Sequence, residues 1–437
     1  MRSLASKSFV FVLAFLLPNC TPAFGQLEYE RDPINYSATA PQDRVARLKE
    51  QLDDGKVDLD YDVTHGYLPA LMEYLQIPTS SQTLVFSKTS LQRHRISPRS
   101  PRAIYFDDDV YLGWVQQGDV IEISAVDPQL GAVFYTLDQN NASSAVIKRQ
   151  TDHCLLCHAS SHTQRIPGHI MRSVYSDASG LPVFSSGTYR TDDTSPFAER
   201  WGGWYVTGLH GRLRHMGNAI VEGRISPEDL DREIGANITD LTDRIPTSRY
   251  ITQDSDIVAL MVLGHQVSVH NQLAAANFQG RTTERDSEAM NRALERPVDF
   301  ESDSTRSRYA SAAEKLVEAI LMVDEYEFSD TISGTSSFAK DFEVRGPFDT
   351  QGRSLRQFDL KRRLFRYPCS FLIYSDAFDG LPKRIRQQVY SRLWEILTGA
   401  DQSQQFAHLT TTDRRAILEI LDETKQDLSQ SWNSRKK

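Results

Sequence analysis

The sequence predicts an α+β protein: a strand-rich N-terminal half followed by an all-helical C-terminal half. Two observations carry this. From Thr83 to about Val221, β-branched and aromatic residues alternate with polar ones between Gly- and Pro-marked turns, a period of two. Beyond about Gly223, apolar residues recur at three- and four-residue spacing over long stretches, the period of a helix. At 437 residues, 40% hydrophobic and 24% charged, the chain can bury a substantial core. It divides into residues 1–25, a strand-rich region 26–225 and a helical region 226–437.

Residues 1–25 read as a cleaved signal peptide. Arg2 and Lys7 are its positive end, Phe9 to Leu17 its apolar core, and Ala23-Phe24-Gly25 a small-x-small cleavage site. The apolar run is too short to span a bilayer, and no later segment is apolar enough to do so. The expected location is therefore periplasmic or secreted. Losing Arg2 and Lys7 takes the formal charge from −9 to −11, and no long basic run suggests a nucleic-acid partner.

Residues 26–45 read as an extended arm, followed by helices over Pro41–Gly55 and His65–Leu75. The stretch from Arg102 to Asp138 reads as a three-stranded meander with turns at Gln117-Gly118, Asp127-Pro128 and Leu130-Gly131. A hairpin is expected around Ala178-Ser179-Gly180, and two short strands in "WYVTGLHG" and "HMGNAIVEG". The helical half should contain helices over Ser255–Ala276, Ser307–Val323, Pro382 to a stop at Gly399, and Thr412–Lys425.

Between the meander and the hairpin lies "TDHCLLCHASSH", from Thr151 to His162. Cys154-Leu155-Leu156-Cys157-His158 is a C-x-x-C-H motif, the pattern of covalent haem c attachment. Two thiols three positions apart can form thioethers to the two vinyl groups on one porphyrin edge. The histidine that follows is then carried under the iron as an axial ligand. With four Cys and 11 His in 437 residues, chance supplies this pattern only about 0.001 times. Export leaves Cys154, Cys157 and Cys369, an odd number for disulfide pairing. A Cys₂His₂ zinc site drawn from His153, Cys154, Cys157, His158 and His162 is the rival, and a Cys154–Cys157 disulfide the plainest alternative. Adjacent Cys157 and His158 point poorly at one small ion.

"CLLCH" resembles the attachment motif of the c-type cytochromes, and the whole chain is similar to exported bacterial proteins with one such motif. Ile166-Pro167-Gly168 is similar to the proline loop of small soluble cytochromes c. That resemblance implies that the Pro167 carbonyl accepts a hydrogen bond from His158. It covers roughly Asp152 to Gly168. Small cytochromes c are all-helical, so it carries the haem chemistry and not the fold.

The same family uses a methionine about sixty residues beyond the histidine as sixth ligand, and Met216 lies 58 beyond His158. The expected site is thus Cys154, Cys157, His158 and Met216, holding one covalent haem c, with His158 and Met216 on the metal. Around Met216, Trp201 and Trp204 could wall a haem, and Arg212 and Arg214 could pair with its propionates. Alternative ligands are His210, His215, His265 and His270, or none; His169 and Met171 come too soon after the motif. Asp107-Asp108-Asp109 reads as a solvated turn or, less simply, a calcium site. Cys369 reads as a buried free thiol.

Two functions follow. The first is single-electron transfer with a redox protein partner, whose approach an acidic surface would steer. The second uses the large size: a haem enzyme or small-ligand sensor with an open sixth position. A zinc-stabilised interaction protein is a further alternative.

Overall fold

A computed structural model describes residues 27–433; the expected leader, residues 1–25, lies outside them. The alternating stretch folds into strands β1 (Thr83–Val85), β2 (Arg102–Phe106), β3 (Val110–Trp114), β4 (Val120–Asp127), β5 (Gly131–Asp138) and β6 (Ile147–Gln150). Residues 102–138 thus hold four strands where three were expected. The additional turn is the aspartate triplet. Asp107 Oδ1 accepts the backbone N–H groups of Asp109 at 3.1 Å and Val110 at 2.9 Å, closing the chain on itself.

The expected hairpin forms from β7 (Arg172–Val174) and β8 (Thr188–Arg190), and β9 is Trp204–Tyr205. "HMGNAIVEG" forms no strand and runs as loop. The main sheet is antiparallel, in the order β6-β5-β4-β3-β2-β1-β9.

Register gives the sheet two different faces. Ile104, Gly113, Glu122 and Thr136 form one cross-strand file, and Tyr111, Ser124 and Phe134 the next, all on the same face. The opposite face presents Tyr105, Leu112, Trp114, Ile123, Val133 and Tyr135. Against it pack α1 (Arg44–Asp53), α2 (Leu68–Tyr74) and the N-terminal arm. That arm is not free: Tyr36 donates from its hydroxyl to the Ala132 carbonyl at 2.8 Å, and Asp43 both caps α1 and accepts from Tyr135 at 2.5 Å.

A single α-turn, α3 (Leu155–His158), carries the cysteine motif. The remaining helices are α4 (Ile257–Ala293), α5 (Asp303–Ile320), α6 (Phe338–Glu343), α7 (Asp376–Asp379), α8 (Lys383–Leu397), α9 (Thr411–Thr424) and α10 (Gln426–Asn433). The overall class is α+β, with the sheet in the N-terminal half and helices mainly in the C-terminal half. The C-terminal half also holds long irregular segments, at 224–256 and 344–370. No helix among the described residues is long and apolar enough to cross a membrane.

Helix α4 begins where Asp256 accepts the Val258 N–H at 2.7 Å, a side-chain N-cap. It continues 17 residues past the expected end at Ala276, because Phe278, Gly280, Thr283 and Asn291 keep one side buried. Its buried side joins sheet residues Phe106, Tyr111 and Val126 to α5 and α8 in one core, so apolar packing crosses residue 225. The aspartate triplet seals this junction. Asp108 pairs with Arg345 at 2.8 Å and with the buried Arg356, while Arg44 holds Asp107 and Asp109. The turn is therefore clamped by three arginines; it is neither a solvated loop nor an open acidic cluster.

Asp108→Ala strands the buried Arg356 guanidinium without its carboxylate. The expected loss is on the order of 3 kcal/mol, read from denaturant unfolding.

Candidate functional site

The motif lies over the mixed face of the sheet. Cys154, Cys157 and His158 stand on one α-turn, in which His158 N–H donates to the Cys154 carbonyl at 2.9 Å. The thiols of Cys154 and Cys157 are both free, Cys157 exposed and Cys154 half-buried, so neither forms the disulfide considered above. Leu155 anchors the turn in the core, while Leu156 is 79% exposed.

His158 is fixed by its own chain. Its Nδ1 lies 2.9 Å from the Gly168 carbonyl, and the Gly168 N–H donates back to the His158 carbonyl at 2.9 Å. A carbonyl can only accept, so the proton sits on Nδ1 and Nε2 carries the lone pair. Burial lowers the imidazole's pKa, which keeps the ring neutral. The ring also packs on Phe134 of β5, with centroids 4.7 Å apart. Thr163 closes the loop by donating from its hydroxyl to the His158 carbonyl at 3.1 Å.

The acceptor is Gly168 and not Pro167, correcting the expectation from the small cytochromes. The Pro167 carbonyl instead takes the Ala132 N–H at 3.3 Å, at the start of β5. Gly168 is required by close approach: a Cβ there would meet the Asn271 carboxamide and lie 3.1 Å from Thr163 Cβ. Asn271, from α4, accepts the His169 N–H at 2.8 Å and donates to the His169 carbonyl at 2.8 Å. The helical half thereby clamps the loop that positions His158. The sequence signal for Asn271 is a polar residue inside the buried run of α4.

Met216 is not brought to the motif. It is 1% exposed in a small core cluster with Tyr175, Val221 and Leu230, apart from the cluster holding Leu155 and Phe134. Its thioether takes the Ser173 hydroxyl at 3.6 Å. The neighbouring "WGGWYVTGLHGRLRHMGN" residues pack among themselves. The His210 and His215 rings pack at a tilt, 4.7 Å apart, beside Trp201, and Trp204 donates from its indole to the Arg172 carbonyl at 2.8 Å. His210 uses both ring nitrogens, on Leu213 and Asn237. Arg214 pairs with Glu233 at 2.7 Å, and Arg212 is 88% exposed near Asp330, so neither faces the motif's sheet surface.

His265 is consumed elsewhere. Its Nδ1 lies 2.6 Å from Asp193 and its Nε2 2.8 Å from the Ser370 hydroxyl. This Ser–His–Asp chain has the spacing of a nucleophilic triad, but His265 and Ser370 are fully buried, so it works as an internal tie. Cys369 beside it is a buried thiol, as expected, and burial pushes its pKa up.

His169 and His270 do approach the motif. Phe134 lies 4.7 Å from His158 and 6.2 Å from His169, and His169 lies 6.2 Å from His270. Ser124 bonds His169 Nε2 at 2.7 Å and Tyr111 bonds His270 Nδ1 at 2.9 Å. His169 Nδ1 and His270 Nε2 are left buried without partners.

Among the described residues, no three His, Cys, Asp or Glu side chains gather to hold a metal ion, which leaves the zinc reading without a ligand set. The motif itself fits a c-type haem: two free thiols precede, on one turn, a histidine whose Nε2 has no protein partner.

Asn271→Ala removes both bonds to His169 and should lower stability by about 2 kcal/mol, with amide exchange rising across residues 158–169 before the rest of the chain. Burial holds His270 down to about 3, and His169 and His215 well below the ordinary histidine range. All three are neutral when folded but take up protons when unfolded below about pH 6.5. Stability is therefore full above that pH and falls as the pH drops below it, because the unfolded chain binds more protons. His270→Gln should flatten the acid-side slope by about 1.4 kcal/mol per pH unit in denaturant titrations.

No family model matches the chain, and no curated protein or solved structure matches it at a significant level.

Proposed function

We propose that this chain is an exported c-type cytochrome-like protein that binds one covalent haem and transfers single electrons to and from a redox protein partner. The observation that carries the reading is the His158 ring: its Nδ1 proton is committed to Gly168, its Nε2 takes no hydrogen bond, and the two cysteines just before it have unpaired thiols. Cys154 and Cys157 would form the thioethers and His158 would be the proximal ligand. A haem bound there would supply one reversible electron at its iron. The protein's part is to hold the ligand still. The reciprocal His158–Gly168 bonds, the Phe134 face and the Asn271 clamp each oppose rotation of the ring. The exposed Cys157 and Leu156 place one edge of the site at the surface, where a partner can dock. An acidic chain favours a basic partner through electrostatic steering.

A second reading is favoured by Met216, whose sulfur is buried against Ser173. If no other side chain took the place expected of Met216, a bound haem would be able to take up a small ligand, and the protein would act as a sensor or haem enzyme.

Expression in cells with haem-attachment machinery should give a protein heavier by one haem, with a redox-dependent visible spectrum. Replacing both Cys154 and Cys157 by Ala should abolish the covalent adduct; an adduct that persists would sink the assignment. A low-spin spectrum indifferent to carbon monoxide supports electron transfer, whereas a high-spin spectrum that shifts with it supports the second reading.

A further inference from the structure

The sheet face beneath the motif carries a charge pair that the motif alone does not explain. Gly113 faces Glu122 across the β3–β4 ladder, and Arg102 lies two residues along β2 from Ile104, the partner of Gly113 on its other side. The Arg102 guanidinium lies in the space a side chain at Gly113 would fill. A Cβ there would stand 2.5 Å from Arg102 Nε and 2.7 Å from Cζ. Glu122 holds the same guanidinium at 2.9 Å, and both side chains are mostly buried, 20% and 16% exposed. Their charges act on the Cys154 thiol and on the His158 imidazole.

One donor of this arginine is unused: Nε is buried and has no acceptor. Leaving a buried charged donor unpaired is unfavourable, and a guanidinium has a second edge that can take another carboxylate while the first holds Glu122. A c-type haem brings carboxylates of its own. We propose that Gly113 and Glu122 hold Arg102 in place to receive a haem carboxylate, and that the Arg102–Glu122 pair sets the reduction potential of the iron. This rests on the haem reading above.

The two charges act with opposite sign. Oxidised haem carries one more positive charge than reduced haem, so a nearby carboxylate favours the oxidised form and a nearby guanidinium disfavours it. Replacing Arg102 therefore lowers the potential, and neutralising Glu122 raises it. Loosening of the site would move both variants in the same direction.

The test uses the full exported chain with haem attached, followed by mass spectrometry and spectroelectrochemistry. Arg102→Met should keep the haem and shift the midpoint down, while Glu122→Gln should shift it up. Gly113→Ala keeps every charge but displaces the flexible guanidinium, and should shift the midpoint down by less than Arg102→Met does. Redox-induced infrared difference spectra should contain a carboxylate band that moves in Arg102→Met and Gly113→Ala. Unchanged potentials, or shifts of one sign in Arg102→Met and Glu122→Gln, would overturn the inference, as would an unmoved carboxylate band. Wild-type chain that carries no haem would overturn the underlying reading instead. If Arg102→Met does not fold, Gly113→Ala alone decides, by whether its potential and carboxylate band move.

Discussion

The carboxamide of Asn271 holds both peptide groups of His169, accepting from one and donating to the other at 2.8 Å each. Much of the site hangs on this clamp. It fixes the chain just after Gly168, and Gly168 in turn fixes the ring of His158. A loop of this length between strands would otherwise be free to fray. The clamp comes from the middle of α4, so the loop is held by an element that the C-terminal half packs around.

A second constraint is electrostatic. Three consecutive aspartates at a strand turn repel one another and would favour solvent. Here Arg44 arrives from α1, and Arg345 and Arg356 from the far end of the chain. The carboxylates are met by partners distant in sequence, so the turn, closed locally by Asp107, has its charges compensated by both halves of the chain. Such pairs stabilise little in themselves, but removing one partner leaves a buried charge exposed to its own desolvation.

The placement of the motif's residues was legible because it is local: Cys154, Cys157 and His158 lie within five positions and share one α-turn. The periodic helices and the hairpin at Ala178–Gly180 were legible for the same reason, since their signals lie within a few residues. What failed was long-range. Met216 has the right sequence spacing for an axial ligand, but spacing along a chain does not fix spacing across a sheet. Its thioether is enclosed by Tyr175 and Val221. Asp107–Asp109 reads as a solvated turn or a calcium site because its three arginines lie far off in sequence, Arg356 being 248 residues from its partner Asp108. Arg102 and Glu122 read as ordinary strand residues, and only the register that aligns Glu122 with Gly113 brings them under the motif.

The length of α4 has a consequence of its own. At about 1.5 Å per residue, its 37 residues make a rod of roughly 55 Å. Along that rod it reaches the Asp107 turn through Gln266, Tyr111 through His270, the β4–β5 turn through Asn277, and the N-terminal arm through Arg281. A helix with contacts at four such places couples the sheet and the N-terminal arm to the helical core. The loop that positions His158 is thus tied to a spine shared by the sheet and the helical core, an attachment that on the electron-transfer reading proposed above would keep the centre still.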